Sequence, residues 1–148
     1  IVHMDCYRNR DQIGLPRLEK MLQKFPQTVF IGHATHWWSE ISAEVLKEDV
    51  GGYPQRKIVP GGRVDYLLQT YPNIYGDLSA GSGDNAMTRD KDFSRSFLER
   101  NQNKLLFGTD LVYKGQQIPN AEHLRNSGIS KEALDKIGFK NTQKLLGL

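Results

Sequence analysis

Cysteine is almost missing from this chain: Cys6 is the only one in 148 residues. That excludes an internal disulfide framework and a zinc site built from thiolates. Long apolar runs are missing too. None approaches the ~20 residues of a membrane span, and no basic, apolar leader opens the chain. We therefore expect a soluble, cytoplasmic protein with no membrane partner. Charge of one sign is also lacking: 20 Lys+Arg stand against 17 Asp+Glu, a net of +3, and the two signs are interspersed. With no basic stripe and no aromatics interleaved among the basic residues, nucleic acid is not an expected partner. Repeats and low-complexity stretches are absent. What remains, 38% hydrophobic residues and 14 glycines, is an ordinary globular composition, enough for one domain over residues 1–148.

Short apolar runs alternate with amphipathic patterns. Ile1-Val2-His3 reads as the end of a strand, and Leu15, Leu18, Leu22 and Phe25 mark one face of a helix that Pro26 stops. Thr28 to Gly32 is an apolar run suited to a strand covered on both faces. A long segment from His33 to Gly62 follows, in which we expect a helix over 38–47. A helix over 63–71, a strand over 73–78, a helix over 90–101 and a strand over 104–108 come next. Gly81-Ser82-Gly83 suggests a mobile turn, and two short helices, after Ser130 and over 141–146, close the chain. Strand and helix alternating in this way build right-handed βαβ units and a parallel sheet. The fold class is α/β. Four units make half of a (β/α)₈ barrel, whose full size is ~250 residues; the same rhythm also suits a small open sheet. Because the first residues begin inside a strand, we expect a fragment.

In parallel α/β folds the chemistry sits at the carboxyl ends of the strands. Those positions here are His3, His33, Asp77 and Asp110. Imidazole and carboxylate hold divalent zinc, manganese or iron, and a carboxylate beside an activated water is a natural general base. Taken singly, each has a plainer use, since Asp77 and Asp110 could cap turns. Their coincidence at successive strand ends points to a site. Beside that rim, His36-Trp37-Trp38-Ser39-Glu40 contains both tryptophans and could wall a pocket for a flat or apolar small molecule, with Trp38 as the better candidate for a purely structural anchor. His36, Trp37, Glu40, Asp77 and Asn85 are the candidate substrate contacts. His123 is expected at the surface, and Cys6 as an inert thiol.

The stretches Phe30-Ile31-Gly32-His33-Ala34, Pro72 through Ala80, and Leu105-Leu106-Phe107-Gly108-Thr109-Asp110 resemble the metal-dependent amidohydrolase superfamily, as does the closing Asn141 through Leu148. The likeness is nearest to its amidohydrolase-related branch, which holds hydrolases and non-oxidative decarboxylases. The resemblance implies the C-terminal half of a (β/α)₈ barrel, strands five to eight, with a divalent metal at the mouth, zinc above all. It makes His3 a metal ligand and His33 a contact to a second metal or to the substrate. It makes Asp110 both a ligand and the proton-shuttling base. The family's His-x-His pair on strand one has no counterpart here.

Three functions follow as expectations. The first is a metal-dependent hydrolase cleaving an amide, ester or lactone bond. The second is a decarboxylase of an aromatic acid on the same site. The third is an inactive barrel-derived interaction module. A half barrel has two open sheet edges, so we expect its partners to be the missing N-terminal half or a second copy of itself, a homo-oligomer.

Overall fold

The computed structural model of the chain describes residues 11–148 and, of the first ten, only the backbone of Val2 and His3. Four strands form one parallel sheet in the order β1 (Val2–His3), β2 (Phe30–His33), β3 (Ile74–Asp77) and β4 (Leu105–Leu106). Each strand lies beside the one before it in sequence. The reversal of strand order that marks a doubly wound sheet does not occur among them. Helices α1 (Pro16–Lys24) and α3 (Arg63–Thr70) connect the first three strands, and α5 (Lys91–Arg100) leads into the fourth. As the sequence suggests, α5 starts at Asp90, whose side chain accepts from the Phe93 N–H, and stops at Asn101.

The two faces of the sheet are set by its glycines. Gly32 pairs with Gly76 across β2 and β3. A β-carbon on Gly32 would fall inside the Trp37 ring, and one on Gly76 would stand 3.3 Å from Trp38. The two indoles, on α2 (Ala34–Ser39), therefore press onto the sheet where it has no side chains. There they join the core: Trp38 meets Phe97 edge to face, and Leu67, Ile74 and Leu105 are fully buried around them. Side chains alternate along a strand, so His33 and Asp77, each next to one of these glycines, belong to the opposite face.

Two expectations about local structure fail. No helix runs over 38–47: α2 begins at once after β2 and ends at Ser39. The Ser42 hydroxyl accepts from the N–H groups of Glu44 and Val59, which draws the backbone away from helical pairing. Nor is 81–83 a turn. It lies in α4 (Ala80–Thr88), where Ser82 and Gly83 are buried. Packing overrides the poor helix propensity of glycine there. A further helix, α6 (Asn120–Arg125), was not anticipated. Its buried Asn120 donates to the carbonyls of Leu78 and Ala80, both at 2.9 Å, and ties α6 to the end of β3.

The far edge of β4 also differs from expectation. Lys104 and Leu106 accept hydrogen bonds from Gly76 of β3 and from Leu78 just after it, so the polar groups of Leu105 and Phe107 point outward. The Phe107 N–H donates to the Ile137 carbonyl at 2.9 Å, within a π-helical turn (Lys136–Lys140) that follows α7 (Lys131–Asp135). The Leu105 carbonyl accepts from Asn141, the first residue of α8 (Asn141–Leu146), also at 2.9 Å. These two positions are not open for pairing. Asn141 also donates to the Gln102 carbonyl at 2.7 Å. Asn141→Ala leaves both carbonyls without this partner and is expected to cost about 2 kcal/mol, read as a lower urea midpoint with an unchanged slope. A midpoint equal to that of the parent chain would show that the edge is held by other means.

Candidate functional site

The register of the sheet builds the site. His3 pairs with His33 across β1 and β2, which sets these residues side by side at the strand ends. Gly32 pairs with Gly76, so the residues that follow them, His33 and Asp77, are neighbours in turn. Asp77 pairs with Leu106 on β4, and Asp110 lies four residues further on.

His33 and Asp77 are bonded. His33 Nδ1 lies 3.0 Å from Asp77 Oδ2, and His33 is only 7% exposed. The Ser79 hydroxyl donates to the same oxygen at 2.7 Å, and the Ser79 N–H donates to Oδ1 at 2.9 Å. Behind them, the Trp38 indole N–H donates to the Asp77 carbonyl at 2.9 Å. The approach of the β4 loop is close: a β-carbon on Gly108 would sit 3.0 Å from Asp77 Oδ1 and from Ser79 Cβ. A side chain there would force these neighbours to give way.

The electrostatics follow from this contact. The hydrogen bond to Asp77 raises the His33 imidazole above its usual value, although burial works the other way, and the negative charges of Asp77 and Asp110 add to the rise. Burial penalises the Asp77 carboxylate, but the hydrogen bonds from His33 and Ser79 outweigh it and hold the group below the usual carboxylate range.

Asp110 is exposed and adopts φ 52°. Its carbonyl accepts from Gln116 Nε2 at 2.9 Å, while Gln116 Oε1 accepts from the Val112 N–H at 3.0 Å, so one side chain clamps the loop. Ala34 follows β2 with φ 78°, and Ala80 lies just after β3 with φ 59°. Left-handed backbone at non-glycine residues thus recurs beyond β2, β3 and β4, and strain of this kind collects at working sites.

The other candidates lie apart. Trp37 is fully buried over Gly32, on the sheet face away from His33. His36 is fully buried as well, with its Nε2 3.4 Å from Glu40 Oε1, and Glu40 accepts from the Gly14 N–H at 2.8 Å. Asn85, on α4, donates to the Pro54 carbonyl at 3.0 Å and so fastens the 51–56 loop. His123 is half exposed and holds Asp84 at 2.6 Å. The His3 side chain and Cys6 lie outside the described residues. Ser79, Asn120 and Gly108 are the participants that sequence reasoning missed. Ser79, two residues beyond Asp77, had a readable signal in the tendency of serine to bond nearby backbone and side chains after a strand.

Among the described residues, no three His, Cys, Asp or Glu side chains are grouped so as to hold a metal ion. Donors of suitable chemistry are nevertheless present in His33 and Asp110. A histidine held by a carboxylate through one ring nitrogen is also how metal-binding imidazoles are oriented. No helix among the described residues is long and apolar enough to cross a membrane.

Comparison with curated proteins and with solved structures gives no match. The family model described as Amidohydrolase matches residues 3–148, which spans all four strand ends. The small parallel sheet is compatible with part of an amidohydrolase barrel, and its function is of the general amidohydrolase type. The chain belongs to the amidohydrolase family.

Proposed function

We propose that this chain supplies strands five to eight of a (β/α)₈ barrel and the proton-transfer half of a metal-dependent hydrolase site acting on an amide, ester or lactone. The observation that carries this reading is the row of polar residues at adjacent strand ends: residue 3 in register with His33, His33 bonded to Asp77, and the Asp110 charge acting on His33. His3 and Asp110 would hold the divalent ion, zinc first and manganese or iron next, with His33 either on a second ion or on the substrate. When bound, such an ion supplies a water of lowered pKa and a Lewis acid for the carbonyl.

The chain's own residues do the rest. Asp110, exposed at the rim, takes the proton of the attacking water and passes it to the leaving group. Where no second ion takes it, His33, whose charged form Asp77 favours, donates to the carbonyl oxygen as negative charge builds there. Decarboxylation of an aromatic acid drew its support from the tryptophan pair. Trp37 and Trp38 pack on Gly32 and Gly76, opposite the His33 face, so hydrolysis is the preferred reading.

Elemental analysis tests the metal site, on this chain and on the chain extended upstream in its reading frame. Stoichiometric zinc or manganese in the extended form, lost in both His3→Ala and Asp110→Ala, is the expected result. An extended form that retains no metal would leave a barrel-derived interaction module instead.

A further inference from the structure

We propose that Asp77 and Ser79 are positioning residues that lock the His33 ring into one tautomer, with the proton on Nδ1 and the lone pair on Nε2. The proposal rests on the reading of His33 as the group that meets the substrate or the ion. It assigns Asp77 a different task from substrate contact.

The argument is one of donors and acceptors. Both neighbours of Nδ1 in the cluster, Asp77 Oδ2 at 3.0 Å and Ser79 Oγ at 3.3 Å, can only be satisfied in one direction. An ionised carboxylate has no proton to give. The Ser79 hydroxyl has one, and it is already committed to Asp77 Oδ2 at 2.7 Å. Toward His33 both oxygens are acceptors, so Nδ1 must carry hydrogen. In the neutral ring that leaves Nε2 as the basic nitrogen.

The carboxylate cannot rotate to relax this demand. Its Oδ1 accepts the Ser79 N–H at 2.9 Å, and its backbone carbonyl is held by the Trp38 indole. Gly108 approaches on the remaining side, where a β-carbon would stand only 3.0 Å from Oδ1 and from Ser79 Cβ. The ring is therefore fixed through a carboxylate that is itself fixed at both oxygens. A loosely held acid would allow the ring to turn and present either nitrogen. Preorganisation of this kind is typically worth 10–100-fold in metal affinity or turnover when a histidine is the group positioned.

The tautomer is read directly by nitrogen-15 NMR of the histidine rings, without metal or substrate, at a pH where the ring is neutral. The chain has four histidines, and the His33 signals are those lost in His33→Phe. The parent chain should show Nδ1 protonated and Nε2 unprotonated. Asp77→Asn is nearly isosteric and can turn its amide N–H toward Nδ1, which should drive the proton to Nε2. Ser79→Ala keeps the carboxylate as the acceptor, so Nδ1 should remain the main protonated nitrogen, with a minor Nε2-protonated form appearing as the hydroxyl's hold on Oδ2 is lost. A His33 ring that is Nε2-protonated in the parent chain, or unchanged in Asp77→Asn, overturns the proposal. If Asp77→Asn does not fold, the parent and Ser79→Ala spectra decide it alone. A tautomer switch in a protein that binds no metal and hydrolyses nothing would leave the positioning pair standing and remove the hydrolase reading instead.

Discussion

Gly83→Ala will destabilise the fold, by about 2 kcal/mol net. A β-carbon at Gly83 would overlap the Leu78 carbonyl and lie 2.7 Å from the Leu78 Cα. The obstacle is backbone, not the far end of a flexible side chain, so α4 itself must move. Overpacking of that kind costs ~1–3 kcal/mol or more, and the better helix propensity of alanine offsets only ~1 kcal/mol. Gly81, in the same helix, provides the control. A β-carbon there meets only the edge of the Tyr53 ring at 3.3 Å, and Tyr53 is 55% exposed and can swing aside. Gly81→Ala should therefore be within ~0.5 kcal/mol of the parent, or slightly more stable. Urea midpoints of the two variants measure the difference. Equal midpoints would mean that α4 does not rest on the end of β3. The effect reaches the site, because α4 starts directly after Ser79, and a displaced α4 shifts the hydroxyl that holds Asp77.

The same glycine shows where sequence reading stops. A Gly-Ser-Gly run has the composition of a mobile turn, and only the backbone of Leu78 lying against it makes a helix the better packed choice. Strands were legible where apolar runs ended at a polar residue, which is how His33 and Asp77 were found singly. Their bond was not legible, since it depends on register, and register is a tertiary property. Helix α5 is legible at both ends because Asp90 and Asn101 each bond a backbone group of their own turn, whatever else they hold. The seats of the tryptophans are hidden for a similar reason, although Trp38 is the structural anchor that the sequence favours. Their seats are Gly32 and Gly76, residues that mark nothing on their own and become a slot only when two strands align them. Asp110 was found as a strand-end acid, whereas its clamp by Gln116 spans six residues of loop with no repeating pattern.

Asp110→Asn is expected to lower kcat/KM for ester or lactone hydrolysis ~10²–10⁴-fold, the usual contribution of a general base. The substitution is chosen for its backbone. Asp110 holds φ 52°, and asparagine tolerates the left-handed region as few other residues do. The contact that orders the loop is made by the Asp110 main-chain carbonyl to Gln116, which the substitution leaves in place. Stability should therefore stay within ~0.5 kcal/mol of the parent, as for an exposed surface change. Asp110→Ala adds backbone strain to the chemical loss, so a comparison of the two separates catalysis from folding. The pH profile supplies a second readout. The Asp110 charge helps to raise the His33 imidazole, so its removal lowers that value and lets His33 lose its proton at a lower pH. If protonated His33 assists the carbonyl, the alkaline limb of any residual activity moves down in pH in Asp110→Asn. Chromogenic esters and lactones assayed with added zinc or manganese, on the extended chain, give both quantities. Unchanged kcat/KM in Asp110→Asn would remove Asp110 from the chemistry and leave it as the turn residue that its backbone also suits.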